Sequence, residues 1–120
     1  MTWEIEYYIE GDGSSPVEGF LDSIRPRPRA KLVQLIKRLE VDGPTLPFPY
    51  SSQIEGRLRE LRTQLGKNRY RVLYYGDQER TFVLLHGVHK KTEELPEQDK
   101  QIALRRMKSD MEQKKQEGDK

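Results

Sequence analysis

Alternating apolar and polar residues near the start of the chain predict a first β-strand. Residues 3–9 read WEIEYYI, and every second position from Trp3 to Tyr7 is apolar. That period is typical of a strand with one buried face. The turn-forming residues of segment 11–15 (GDGSS) end the pattern. We therefore expect one short strand before the first helix.

A helix is predicted directly after this turn. Ser15, Pro16 and Glu18 have the spacing of an N-cap, a proline at the first helical position and a capping-box acid. An apolar stripe follows at helical spacing, formed by Val17, Phe20, Leu21 and Ile24. Pro26 and Pro28 are expected to end this helix, because proline cannot continue the backbone hydrogen-bond pattern.

A second helix is predicted over residues 28–41, and its link to the first is short enough for a helical hairpin. Its apolar positions form one stripe, made of Leu32, Leu35, Ile36 and Leu39. Gly43 and Pro44 are expected to stop it. Residues 44–52 contain three prolines, so we interpret them as an extended, stiff loop.

Three strands follow, separated by two short turns. They are predicted over residues 57–65, 69–75 and 80–88, with turns at 66–68 and 76–79. Loops this short join antiparallel neighbours, so the three strands are expected to form a meander.

A last helix is predicted from Pro96, with an apolar stripe at Ala103, Met107 and Met111. Residues 112–120 are all polar, charged or glycine, and we interpret them as a disordered tail on a single domain spanning 1–111. The element order β-α-α-β-β-β-α predicts an α+β fold. We expect a small antiparallel sheet whose helices, including the N-terminal helical hairpin, cover one face.

Composition narrows the possible chemistry. The 120 residues are 33% hydrophobic and 35% charged, and the absence of cysteine excludes disulfides and thiolate sites. No apolar run approaches the ~20 residues of a membrane-spanning helix. We see no signal-peptide pattern and expect a cytoplasmic protein. His86 and His89 are too few for a convincing metal site, so we expect neither a metal ion nor a cofactor.

Charge is unevenly distributed along the chain, although the net charge is only +2. Residues 57–91 contain nine lysines and arginines but three acids. If the fold gathers these cations on one face, that face attracts phosphate groups. The alternative is that charges close in sequence are scattered in space.

Arg62 and Arg71 are the most informative of these cations. A tight turn at 66–68 places Arg62 opposite Arg71, and Glu60 opposite Leu73. Like charges opposite each other destabilise a sheet, so an anion bound between the arginines would relieve their repulsion. The alternative is a structural salt bridge from Glu60 to either arginine. Both interpretations stay open at this point.

Phosphate-binding cations without metal ligands suit RNA cleavage, because RNA carries its own nucleophile, the 2′-hydroxyl. Such a reaction needs a proton acceptor, a cation that stabilises the phosphorane and an acid for the leaving oxygen. Arginine and lysine supply the second role, and histidine, glutamate or a perturbed lysine supply the others. Lys90 and Lys91 either join this site or lie in a solvated loop.

Three segments together resemble a known family. They are LRELR at 58–62, YRVLY at 70–74 and LLHGVHKKTEELP at 84–96. Over residues 3–111 the chain resembles the RelE/HigB-like toxins of bacterial type II toxin–antitoxin systems. It most resembles the phage-derived HigB-type branch of that superfamily.

The resemblance implies a RelE-like, microbial-RNase-type fold with the element order given above. It implies an endoribonuclease toxin that enters the ribosomal A site and cuts mRNA, which inhibits translation. It also implies a cognate antitoxin, a small helix-turn-helix protein that blocks the toxin. Operator DNA is then bound only through the antitoxin, and no membrane is involved.

By the same resemblance, Arg71 matches the family's phosphate-stabilising arginine, and Lys90 matches a second basic residue. Glu60 and Arg62 match the E-L-R positions. These four and His89 are the candidate catalytic residues. The candidate RNA-binding residues are Arg57, Arg59, Arg69, Lys91 and His86.

Departures from the family pattern concern the acid and the base. RelE proper has lysines where this chain has Leu58 and Glu60, and its catalytic tyrosine has no counterpart near Pro96. Val88 replaces the usual aromatic residue. The acid and base are therefore sought among Glu60, His86 and His89.

Two other functions stay open. One is a ParE-like gyrase inhibitor, which has the same fold and no nuclease chemistry. The other is a catalytically degenerate homologue that binds only its antitoxin and operator DNA. The paired Arg62 and Arg71 favour the nuclease, whereas the missing tyrosine keeps the degenerate homologue open.

Overall fold

The computed structural model describes residues 2–118, which form five strands and three α-helices. In chain order the elements are β1 (Glu4–Tyr7), α1 (Pro16–Ser23), α2 (Pro26–Asp42), a 3-10 turn (Gly43–Thr45), β2 (Ser51–Glu55), β3 (Leu58–Leu65), β4 (Asn68–Gly76), β5 (Thr81–Lys90) and α3 (Glu97–Gly118). The predicted α+β class is confirmed.

The five strands form one sheet in the order β1-β5-β4-β3-β2. The meander β3-β4-β5 is antiparallel, as predicted, and β1 joins it by pairing with β5. That pairing is parallel, so the sheet is mixed and the expectation of a purely antiparallel sheet was wrong. Parallel neighbours need a long connection, and here α1, α2 and the meander itself provide it.

The strand β2 was missed by the sequence patterns. Residues 44–52 were expected to be an extended loop, but Gly43–Thr45 form a 3-10 turn and Ser51–Glu55 pair with β3. The polar sequence SSQIE conceals the strand, because its buried contact is polar. Ser51 is buried, and its hydroxyl lies 2.6 Å from the Tyr74 hydroxyl.

Helices cover both faces of the sheet. The first core cluster packs α1 and α2 against Leu61, Val72 and Leu84. The second packs α3 against the opposite face, which carries Leu58 and Leu73. The expectation that all helices share one face was therefore wrong for α3. Successive residues of a strand point to opposite faces, and the buried strands β4 and β5 are apolar on both.

The link between α1 and α2 departs from the expected helix ends. Helix α1 ends at Ser23, and Pro26 begins α2 instead of merely ending α1. The Arg29 side chain donates to the carbonyl oxygens of Leu21 (2.6 Å) and Ile24 (2.8 Å), which satisfies acceptors at the end of α1. Ser15 is the N-cap residue and Pro16 the first helical residue, as predicted, but the buried Ser15 hydroxyl makes no capping hydrogen bond with the residues described.

Helix α3 continues through most of the segment interpreted as a disordered tail. Residues 112–118 are helical, and residues 119–120 lie outside the described residues. The reason is the Lys114 ammonium, which lies 2.8 Å from an Asp77 carboxylate oxygen and 3.0 Å from one of Asp110. The pair with Asp77 ties the last turns of α3 to the turn between β4 and β5, whereas the pair with Asp110 lies within the helix.

Candidate functional site

The candidate site lies on the β3–β4 hairpin. Arg62 pairs with Arg71 and Glu60 with Leu73, so the predicted register is confirmed. Gly66 forms the tight turn with a φ of 62°. Strand alternation places Glu60, Arg62 and Arg71 on the face that α3 covers elsewhere, since their neighbours Leu61 and Val72 belong to the cluster beneath α1 and α2.

Glu60 lies between the two arginines. Its Oε1 is 3.1 Å from Arg62 Nε and 3.6 Å from Arg71 Nε. Burial raises the pKa of Glu60, and the positive charges of Arg71 and Arg62 oppose that shift. The carboxylate thus offsets part of the repulsion between the arginines, as the salt-bridge interpretation expects.

The Arg71 guanidinium is buried, with 4% of the residue exposed. Its Nη2 donates to the backbone carbonyl of Glu93, and its Nε faces Glu60. Among the residues described, nothing accepts a hydrogen bond from Nη1. Buried donors are nearly always satisfied, so this one points to an acceptor that residues 2–118 do not supply.

The segment that follows β5 packs over the guanidinium of Arg71 and also contacts Arg69. Arg69 Nη1 donates to the Lys91 carbonyl at 3.2 Å, and its Nη2 lies 3.5 Å from a Glu93 carboxylate oxygen. Arg69 is the register partner of Lys90, and alternation along β5 places Lys90 on the same face as Arg71. Lys90 and Lys91 are both exposed. The four cations Arg62, Arg69, Arg71 and Lys90 therefore share one end of one face.

Two other predicted RNA-binding residues lie elsewhere. Arg57 is at the opposite end of β3, where its guanidinium donates to the Gly76 carbonyl. Arg59 donates to the Ser51 hydroxyl at 3.1 Å, on the face packed by α1 and α2. The basic-face hypothesis therefore holds for the hairpin end of the sheet and fails for these two positions.

The two histidines point to opposite faces, as the sequence spacing predicted. His89 stacks on Tyr70, with ring centroids 4.4 Å apart, and its Nε2 lies 2.9 Å from Asn68 Oδ1. Tyr70 belongs to the cluster beneath α1 and α2, so His89 is separated from Arg71 by the sheet.

His86 lies on the Arg71 face but is engaged by α3. Arg106 Nη1 donates to His86 Nδ1 at 3.0 Å, which leaves Nε2 to donate to Asp99 Oδ1 at 2.7 Å. A register shift in β5 opposite Leu73 turns His86 toward that helix.

A cleft of about 430 Å³ opens between α2 and the hairpin. On the side of β3 away from β4, no described strand pairs with β3 beyond Leu61, the partner of Ser51, and this edge is open to the cleft. No acidic residue is found among the described residues that line the cleft, and five lining residues are cations: Lys31, Arg38, Arg62, Arg69 and Arg71. The cleft thus favours an anionic ligand.

A family profile described as phage-derived Gp49-like proteins (DUF891) matches residues 19–108, three quarters of the chain and every candidate site residue. The chain belongs to this Gp49-like family. The family is a RelE-like, toxin-type family associated with toxin–antitoxin systems. A toxin of this type generally implies an antitoxin partner. A comparison with curated proteins finds no match.

Two negative findings apply to the described part of this Gp49-like chain. No helix within residues 2–118 combines the length and apolar character needed to cross a membrane. The same residues contain no group of three histidines, aspartates or glutamates arranged to hold a metal ion.

Sequence reasoning missed several partners of the Gp49-like site. The Glu93 carbonyl, Asp99 and Arg106 contact Arg71 or His86 from 13 to 22 residues away in sequence. No motif links such positions, because the contacts depend on how α3 and the segment before it pack.

Proposed function

We propose that this Gp49-like protein is a toxin of a type II toxin–antitoxin system that cleaves mRNA on the ribosome without a metal ion. The observation that carries the proposal is the Arg71 Nη1 donor, which is buried without an acceptor among the residues described, on a hairpin that also borders a cation-lined cleft. A non-bridging phosphate oxygen is an acceptor of the right charge, and arginine grips phosphate through two parallel hydrogen bonds.

The proposed reaction uses the RNA 2′-hydroxyl as nucleophile. Its oxygen attacks the adjacent phosphorus and its proton goes to a base on the protein. The bond to the 5′-oxygen breaks, an acid protonates that oxygen, and the products are a 2′,3′-cyclic phosphate and a 5′-hydroxyl. Arg71, with Arg62 beside it, stabilises the extra negative charge of the phosphorane.

Among the three candidates for the base, Glu60 has the strongest support. It lies 3.6 Å from Arg71, whereas His89 is on the other face and both His86 nitrogens are engaged. A pKa raised by burial also improves a carboxylate as a proton acceptor near neutral pH. Lys90 is proposed to bind the substrate phosphates, and the cytoplasmic location follows from the ribosomal target.

The experiment is primer extension on an mRNA incubated with the protein, with and without translation. We expect new 5′ ends within the reading frame only when the mRNA is translated, and none with Arg71→Ala. Arg57→Ala is the matched control, because Arg57 lies at the far end of the sheet. Inhibition of gyrase supercoiling without mRNA cleavage would contradict the nuclease and support the ParE-like function.

The proposed partner is a helix-turn-helix antitoxin, which also mediates binding to operator DNA. We expect its co-expression to restore growth that the toxin alone arrests. A protein that binds the antitoxin yet neither arrests growth nor cuts mRNA would be the degenerate homologue.

A further inference from the structure

The turn that leads into β2 exposes two aromatic side chains beside the site. Phe48 is 69% exposed and Tyr50 is 41% exposed. The turn is held by backbone hydrogen bonds from Tyr50 and Ser51 to the Pro47 carbonyl, and Arg62 N donates to the Tyr50 carbonyl at 2.9 Å. The two rings are thus displayed on a hydrogen-bonded turn tied to β3.

A guanidinium lies over each of these rings. Arg62 Cζ is 5.2 Å from the centroid of the Phe48 ring, and Arg38 Cζ is 4.7 Å from that of Tyr50. Both distances are within cation–π range. Because Arg62 also contacts Glu60, it connects the aromatic turn to the Arg71 cluster.

The cleft adds charge to this aromatic surface. Tyr50 lines it together with five cations, and no described lining residue is acidic. A ligand that matches the whole surface carries both negative charge and a flat ring. An unpaired nucleotide has both, since bases of single-stranded RNA stack on aromatic side chains and on guanidinium planes. An acidic peptide would match the charge but leave the rings without a stacking partner.

We propose that Phe48 and Tyr50 form a subsite that stacks an unpaired base of the RNA strand beside the phosphate bound at Arg71. This inference rests on the proposed function. It adds the part of the protein that holds the RNA next to the cleavage position.

The test uses a short RNA that carries 2-aminopurine and 2′-O-methyl groups, so that it reports stacking and cannot be cleaved. The full-length protein is titrated into this RNA, both free and bound to ribosomes. We expect wild type to quench the 2-aminopurine emission. The double variant Phe48→Ala/Tyr50→Ala should lose the quenching and bind about 5- to 150-fold more weakly, which corresponds to ~1–3 kcal/mol for one stacked base. Ile9→Ala, which truncates an exposed apolar residue elsewhere, should change neither.

An abasic nucleotide at the stacking position completes a thermodynamic cycle. We expect the abasic RNA to weaken wild type by a similar factor and to leave the double variant unaffected. If the abasic nucleotide weakens the binding of wild type and of the double variant by the same factor, the subsite is overturned. It is also overturned if wild type quenches the emission of neither the free nor the ribosome-bound RNA.

The remaining outcomes separate this inference from the proposed function. If the double variant binds RNA normally but binds the antitoxin more weakly, the surface holds an acidic peptide and the inference is wrong. If wild type cuts translated mRNA but the cycle shows no coupling, only the subsite fails. If the cycle shows coupling but wild type never cuts mRNA, the subsite stands and the nuclease fails.

Discussion

Arg71 holds a charge where a charge is costly. The residue is 4% exposed, and Glu60 is its neighbouring carboxylate at 3.6 Å. Burying a cation is unfavourable unless it is paired and hydrogen-bonded, and one Arg71 nitrogen has no acceptor in the part of the chain that the structure describes. The residue is therefore either a structural partner of Glu60 or a ligand for phosphate, and two substitutions separate these roles.

We expect Arg71→Ala to lower the single-turnover rate of mRNA cleavage about a hundred- to a thousandfold, the usual loss of ~2.7–4 kcal/mol for one transition-state contact. Arg71→Lys should restore only part of the rate, because an ammonium cannot form two parallel hydrogen bonds to phosphate. The measurement is rapid quench on programmed ribosomes, with Arg57→Ala as the control.

Circular dichroism decides how this result is interpreted. A folded Arg71→Ala protein that cuts mRNA at the wild-type rate would remove Arg71 from the mechanism. An unfolded Arg71→Ala protein would instead support the structural salt bridge with Glu60.

Glu60 makes stability depend on pH. Burial raises its pKa above the ordinary 4.5, so the folded protein holds this proton more tightly than the unfolded chain. The free energy of unfolding then falls as pH rises from 4.5 toward the raised pKa. We expect urea denaturation to show that wild type loses stability relative to Glu60→Gln over this interval.

The exposed Glu97 provides a control, because its contribution to stability should change with pH in the opposite direction. Its hydrogen bond from Gln101 and its contact with Lys100 lower its pKa, so wild type should gain stability relative to Glu97→Gln as pH rises through the acidic range. A difference between wild type and Glu60→Gln that is constant with pH, or that grows in favour of wild type, would contradict the assignment for Glu60.

At the scale of elements, the sequence patterns correctly predicted features that depend on residues close together in the chain. The register of β3 and β4 follows from a tight turn, so Arg62 was correctly placed opposite Arg71. The strand β2 was missed because its buried contact is a pair of hydroxyls, Ser51 and Tyr74. The position of α3 on the opposite face was missed because few of its residues are apolar and ion pairs hold its end.

Helix α3 carries one buried acid that contacts the sheet. Asp110 accepts a hydrogen bond from the Tyr75 hydroxyl and pairs with Lys114. Burial and this hydrogen bond raise the pKa of Tyr75, which keeps the phenol protonated as a donor. We expect Asp110→Ala to lower the free energy of unfolding by about 1–3 kcal/mol, because the buried hydroxyl loses its acceptor.

Urea denaturation followed by circular dichroism measures this loss. Glu97→Ala breaks an exposed ion pair on the same helix and should lower the free energy of unfolding less than Asp110→Ala does, because solvent screens exposed pairs. Equal effects of the two substitutions would show that α3 does not depend on the buried acid.

At the scale of the whole molecule, folding converts a nearly neutral chain into one with a basic end. The net charge is +2, yet Arg62, Arg69, Arg71 and Lys90 gather at the hairpin. The uneven sequence distribution predicted such a face, but its extent depends on strand alternation and on contacts from other elements. Arg59 illustrates this limit, because the Ser51 hydroxyl of β2 holds it on the opposite face.

The basic end predicts how RNA binding responds to salt. Each phosphate contact on a single strand releases counterions, so the logarithm of the affinity falls with the logarithm of salt concentration by about 0.7 per contact. The variant Lys90→Ala/Lys91→Ala should flatten this slope by about 1.4 if both exposed lysines contact phosphates.

Arg57→Ala should leave the slope unchanged, because its guanidinium is held at the other end of β3, ~17 Å from Arg62 at the usual rise per residue. Fluorescence anisotropy with an uncleavable RNA gives both slopes, and equal flattening by the two variants would mean that phosphates are bound over the whole sheet and not at the hairpin.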